Sequence, residues 1–113
     1  MALMAIAFPI RLGESEGWKN WVGELQHGPQ HAEFVASRRA LGVHERTFLQ
    51  HTPMGDLVIV ALEGDDPGAS FGRFVSGTDE FTTWFLAKTM EFHGIDLRAP
   101  AGPPPELLVD SEA

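Results

Sequence analysis

The sequence predicts an α+β domain, one antiparallel sheet with helices laid across a single face. Three observations predict it. Two short runs, residues 3–10 and 57–62, are apolar at nearly every position, as strands buried on both faces are. Thr52-Pro53-Met54-Gly55-Asp56 punctuates the chain between residues 44–52 and 57–62, as the turn of a β-hairpin does. Between and after these runs, apolar residues recur at helical spacing.

The chain has 113 residues, the size of one domain, with 43% apolar and 21% charged residues. A chain this long buries roughly 65% of its unfolded surface, enough for one core. Sixteen acidic residues against eight basic ones give a net charge of −8. Nucleic acid and anionic membrane are therefore not expected as partners, since both need a basic footprint. There is no Cys, so neither a disulfide framework nor thiolate chemistry is available. The opening MALMAIAFPI has no basic n-region and is too short to span a bilayer, so it reads as a first strand. A soluble protein of the reducing cytoplasm is the expectation.

Residues 3–10 form the first strand, with Pro9 near its end, where a missing donor is tolerated. A helix is expected to start at Ser15 as N-cap, with Trp18, Trp21, Val22 and Leu25 as its apolar stripe. Gly28-Pro29 interrupts it, because proline removes a helical hydrogen bond and clashes with the preceding turn. A second helix over residues 30–41 carries Ala32, Val35 and Ala36 as its apolar positions, with Phe34 and Leu41 to one side. Gly42 follows as the left-handed terminator.

The hairpin comes next. Its first arm, residues 44–52, alternates polar and apolar residues as an edge strand does; its second arm does not. His44, Arg46, Phe48 and Gln50 share one face of the first arm, and Glu45, Thr47, Leu49 and His51 share the other. Asp66 and Pro67 supply the N-cap and first position of a short helix with Phe71, Phe74 and Val75. Thr78 or Asp79 caps a longer one bearing Phe81, Trp84, Phe85, Lys88 and Phe92, closed by His93-Gly94. Residues 1–97 thus make the domain. Residues 98–113 are a proline-rich tail in which residues 107–109 (Leu-Leu-Val) regain strand character as a possible extra strand.

The order β-α-β-β-α-β is that of the ferredoxin-like split βαβ fold. In it the first and third strands are central and the second and fourth lie at the edges. Helices cover one sheet face, so the other would present either Val58, Val60 and Leu62 or Leu57, Ile59 and Ala61. Contiguous apolar surface of that extent calls for a partner, and sheet-on-sheet packing about a two-fold axis supplies one. A homodimer through the open sheet face is the expectation.

With AIAFPI leading through LGESEGW into a Trp-bearing helix, then GDLVIVALE and EFHGIDL, residues 3–97 resemble the dimeric α/β-barrel superfamily. This group includes cofactor-independent antibiotic-biosynthesis-type monooxygenases, muconolactone-isomerase-like proteins, stress-responsive barrel proteins and haem-degrading enzymes. The chain is similar to small uncharacterised bacterial proteins of this layout. The resemblance implies two sheets packed as a barrel and a pocket between sheet and helices in each protomer. It carries over no catalytic residue, because no member's catalytic motif matches residue by residue.

The candidate chemistry is sparse. His93, in the last turn of its helix, reads either as a charge favourable to the helix dipole or as a general base at a pocket mouth. Trp84, Gln50 and His51 are candidate ligand contacts, on the helix leading to His93 and on the mixed strand. Glu63 is expected to pair with Arg38 or Arg39, and Glu63 and Arg38 complete the ligand candidates. His27 and His31, with Glu24, have metal-ligand spacing, but Gly28-Pro29 breaks their shared face and no third histidine joins them. No phosphate loop, HExxH or GxSxG is present. With no Cys, only His93 could be a haem ligand, and no cofactor is expected. Two functions fit: a protein that binds a small apolar or aromatic molecule, or a cofactor-independent monooxygenase- or isomerase-like enzyme acting on a small aromatic or polyketide-like compound. The second needs His93, Trp84 and a polar residue such as Gln50 to converge on one cavity.

Overall fold

A computed structural model of the chain describes residues 1–100 and 102–112. The elements run β1 (Ala2–Pro9), α1 (Ser15–His27), α2 (His31–Leu41), β2 (Val43–Thr52), β3 (Gly55–Gly64), α3 (Pro67–Val75) and α4 (Glu80–His93). The three strands form one antiparallel sheet in the order β1-β3-β2. No helix among the described residues is long and apolar enough to cross a membrane.

The turns form where the sequence places them. Thr52 pairs with Gly55, so the β2–β3 hairpin is closed by Pro53 and Met54, and Thr52 Oγ1 donates to the Gly55 carbonyl at 2.5 Å. Gly42 and Gly94 end α2 and α4 with φ of 72° and 68°, a backbone region that costs other residues steric strain. Asp66 and Asp79 cap α3 and α4 by accepting from the Ala69 and Thr82 amides. Ser15 does not cap α1. It is the first helical residue, and its hydroxyl donates instead to Asp56 at the hairpin end. The break between α1 and α2 falls at Gly28-Pro29-Gln30, as proline requires.

Register assigns the sheet faces. Ile6, Val60 and Thr47 align across the three strands, as do Phe8, Val58 and Leu49. These residues turn toward the helices, together with Leu62, Val43 and Glu45. The opposite face carries Leu3, Ala5 and Ala7 from β1, Leu57, Ile59, Ala61 and Glu63 from β3, and His44, Arg46, Phe48 and Gln50 from β2. No described segment covers that face, and Leu3 and Phe48 are exposed there.

Two expectations need correction. Residues 107–109 form no strand; they are irregular and exposed, so the sheet has three strands and β1 is an edge rather than a central strand. Pro103, Pro104 and Pro105, just upstream of Glu106, carry no backbone donors, which opposes ladder formation as the tail leaves the domain. Helix α2 also rolls away from the expected face. Ala32 and Ala36 are exposed, while Phe34 is half-buried and Arg38 is the helix's one fully buried residue. Burying a phenyl ring gains far more than burying two methyls, and the ring directs the roll.

The core sits under α1 and α4. Trp18, Trp21 and Leu25 of α1 pack with Phe81 and Phe92 of α4, with Val58 of β3 and with Ile10 just after β1. Trp21 is at its centre, edge-on to Phe85 at 4.9 Å and stacked on Phe92 at 5.7 Å. Phe34, Val22, Ile6 and Val60 are only half-buried although they lie in the interior, because they border a void.

Candidate ligand cavity

That void is a cavity of about 520 Å³ between the helix-facing side of the sheet and all four helices. Its volume falls in the range of small-molecule sites. The sheet contributes Ile6, Phe8, Val58 and Val60, and the helices contribute Trp18, Trp21, Phe34, Phe74 and Phe85, so the wall is largely aromatic and aliphatic.

One ion pair interrupts this wall. Arg38 of α2 donates from Nε to Glu45 Oε1 of β2 at 2.7 Å, and both side chains are 9% exposed. Arg38 Nη1 donates to Ser37 Oγ at 3.0 Å, and Thr47 Oγ1 donates to the second Glu45 oxygen at 3.2 Å. The guanidinium carbon lies 4.4 Å from the Phe74 ring centroid, 4.7 Å from that of Phe85 and 4.8 Å from that of Phe34. Three ring faces thus clasp the cation while one carboxylate neutralises it. The remaining nitrogen, Nη2, makes no hydrogen bond among the described residues and is not sealed by protein atoms.

His93 lies at the α4 end of the cavity. It is 8% exposed, beside the Phe8 ring at 5.5 Å. Nδ1 donates to the Pro9 carbonyl at 2.9 Å, which leaves Nε2 as an acceptor in the neutral ring. Burial pushes the imidazole below its ordinary range, against the opposing effect of the Pro9 carbonyl. Burial thus disfavours the charged form that a helix-end role would use, and the ring stands at the wall of the cavity.

The cavity gathers only Arg38 and His93 of the sequence-predicted site residues. Trp84 stands outside it, packed edge-on against Trp21 at 6.3 Å. Gln50 projects from the uncovered sheet face. Glu63 is on that face too and meets Arg46 at 3.5 Å, so neither Arg38 nor Arg39 is its partner. Sheet parity separates Glu63 from Arg38 and turns Glu45 toward it instead. His51 is at the hairpin end, bonded to Asp56 at 2.7 Å. The convergence of His93, Trp84 and Gln50 does not occur.

Ser15 Oγ and His51 Nδ1 bind different oxygens of Asp56, at 2.6 and 2.7 Å. The carboxylate sits between hydroxyl and imidazole, so the serine meets the carboxylate and not the imidazole, unlike the serine–histidine–aspartate order of nucleophilic activation. The Ser15 hydrogen bond, then that of His51, holds Asp56 below the usual carboxylate range. Trp21 Nε1 is sealed inside the protein and has no acceptor among the described residues, which the apolar spacing of its helix does not reveal. His31 Nδ1 donates to the Leu25 carbonyl at 2.9 Å, and no three potential metal ligands cluster among the described residues.

Comparison with protein-family models, curated proteins and solved structures returned no match. What the cavity does is therefore argued from its own geometry.

Proposed function

We propose that this protein binds a small apolar or aromatic molecule in the cavity between its sheet and its helices. The observation that carries the reading is the cavity itself, about 520 Å³ lined by aromatic and aliphatic side chains with Arg38, Glu45 and His93 set into the wall. Few placed polar groups in a large apolar enclosure are what small-molecule recognition requires. Calorimetric titration with naphthalene tests it: saturable binding is expected, and Val60→Trp, which fills the cavity from the sheet, should abolish it while circular dichroism stays unchanged. Absence of saturable heat up to the solubility limit would remove the proposal.

The His93 imidazole at the cavity wall favours a second reading, an isomerase- or monooxygenase-like enzyme without a cofactor. His93 Nε2 would take a proton from a bound aromatic or polyketide-like compound, with Nδ1 held by Pro9. Loss of turnover in His93→Gln with binding retained would support it.

We also propose that two copies pack through the uncovered sheet face as a dimeric α/β barrel. Leu3, Ile59 and Phe48 supply an apolar patch there. Arg46 and Glu63 lie at its edge with opposite charges, so a two-fold axis can bring one copy's arginine to the other's glutamate. Light scattering should return twice 12.4 kDa, and Ile59→Asp should return 12.4 kDa. A wild-type monomer would refute the barrel.

A further inference from the structure

We infer that the ligand is a neutral molecule, an aromatic body carrying one uncharged hydrogen-bond acceptor such as an amide or ketone, and that the Arg38–Glu45 pair excludes carboxylates from the cavity. The inference rests on the proposed cavity function and specifies its ligand class. The charges that border the cavity cancel. Arg38 is matched by Glu45 at 2.7 Å. Arg46 reaches the rim, but its guanidinium meets Glu63 at 3.5 Å on the other side of the sheet. His93 is buried at the cavity wall, where burial disfavours its charged form, with Nδ1 donating to Pro9.

A carboxylate entering this space would be a third charge among phenyl rings. On the free Nη2 it would be a second anion on one guanidinium, beside Glu45, which is itself 9% exposed and held at its other oxygen by Thr47. Two buried anions would then share one cation, and the entering charge gives up its water without a counter-charge of its own. A neutral acceptor adds no charge. Arg38 Nη2 is the donor left over once Nε and Nη1 have met Glu45 and Ser37. A carbonyl oxygen there gives Nη2 an acceptor, and the aromatic body replaces the void beside Phe34, Phe74 and Phe85.

Glu45 therefore sets specificity by masking a cation. Removing its charge should convert the cavity into a carboxylate site. Calorimetric titration of the full chain at neutral pH with naphthalene, naphthamide and naphthoate tests this. In the wild type, naphthamide should bind about tenfold tighter than naphthoate. In Glu45→Gln the order should reverse, because the guanidinium charge is now unmatched. In Arg38→Met/Glu45→Leu, which removes both charges, naphthamide should lose its advantage over naphthalene. Naphthoate binding as tightly as naphthamide in the wild type would overturn the inference while leaving the cavity function standing, as would an unchanged order in a folded Glu45→Gln variant. Failure of all three compounds to bind the wild type would overturn both.

Discussion

Glu45 and Arg46 are neighbours on one strand, yet they belong to two different ion pairs. Glu45 turns toward the helices and meets Arg38 at 2.7 Å with both side chains 9% exposed. Arg46 turns the other way and meets Glu63 at 3.5 Å with the two side chains 48% and 38% exposed. The same chemistry therefore operates in two dielectrics. On the covered face each charge has lost most of its water and depends on its partner, on Ser37, on Thr47 and on three phenyl rings. On the open face water screens both charges. The comparison teaches that side-chain type says little about an ion pair's importance until the strand's parity is known.

The largest effect should come from breaking the covered pair. Arg38→Met leaves Glu45 charged and unmatched, and urea denaturation should show a loss of about 3–5 kcal/mol. Adding Glu45→Leu should recover most of that loss, since two apolar side chains suit the cavity wall and leave no orphan charge. If the double variant is as unstable as the single one, the loss belongs to packing against Phe34, Phe74 and Phe85 rather than to charge.

A smaller effect should follow from pH. The folded His93 imidazole is depressed below its unfolded value of about 6.5, so over that interval the unfolded chain binds more protons. Its contribution is full above about pH 6.5 and falls as the pH drops through the folded value. Denaturation at about pH 8 and about pH 5.5 should differ, and His93→Gln should shrink the difference. An unchanged difference would assign the slope to another group.

The smallest effect belongs to the exposed pair. Arg46→Met should change monomer stability by less than about 1 kcal/mol, and high salt should not alter that result. A larger loss that depends on protein concentration would instead place Arg46 in an interface between copies, sharpening the contrast between the two faces.

Much of the fold was legible in the residues. Pro29, Gly42, Asp66-Pro67, Asp79 and Gly94 act locally, through a missing donor, a permissive backbone or a capping oxygen, so they mark helix ends without reference to the rest of the chain. The apolar second arm of the hairpin likewise marked the central strand. The errors arose where distant segments compete. Residues 107–109 have strand composition, but a strand also needs a ladder partner, and none of the described residues provides one. Ser15 had the composition of a cap, but Asp56, 41 positions away, took its hydroxyl. Helix α2 turned to bury Phe34 instead of its alanines.

The candidate site was harder to read for the same reason. Arg38 and His93 were identifiable as polar groups near apolar periodicity, but Glu45 was legible only as a member of one of two alternating sets. Choosing between those sets requires the register of β2 on β3, and a shift of one residue would exchange them. Local chemistry in the sequence by itself determined the element order, the turns, the aromatic core and the acidic balance. Tertiary structure alone decided that Glu45 rather than Glu63 faces Arg38, and that His93 is buried against Pro9. Those outcomes depend on which atoms lose their water together, a property of the packed sheet and helices that no local run of residues contains.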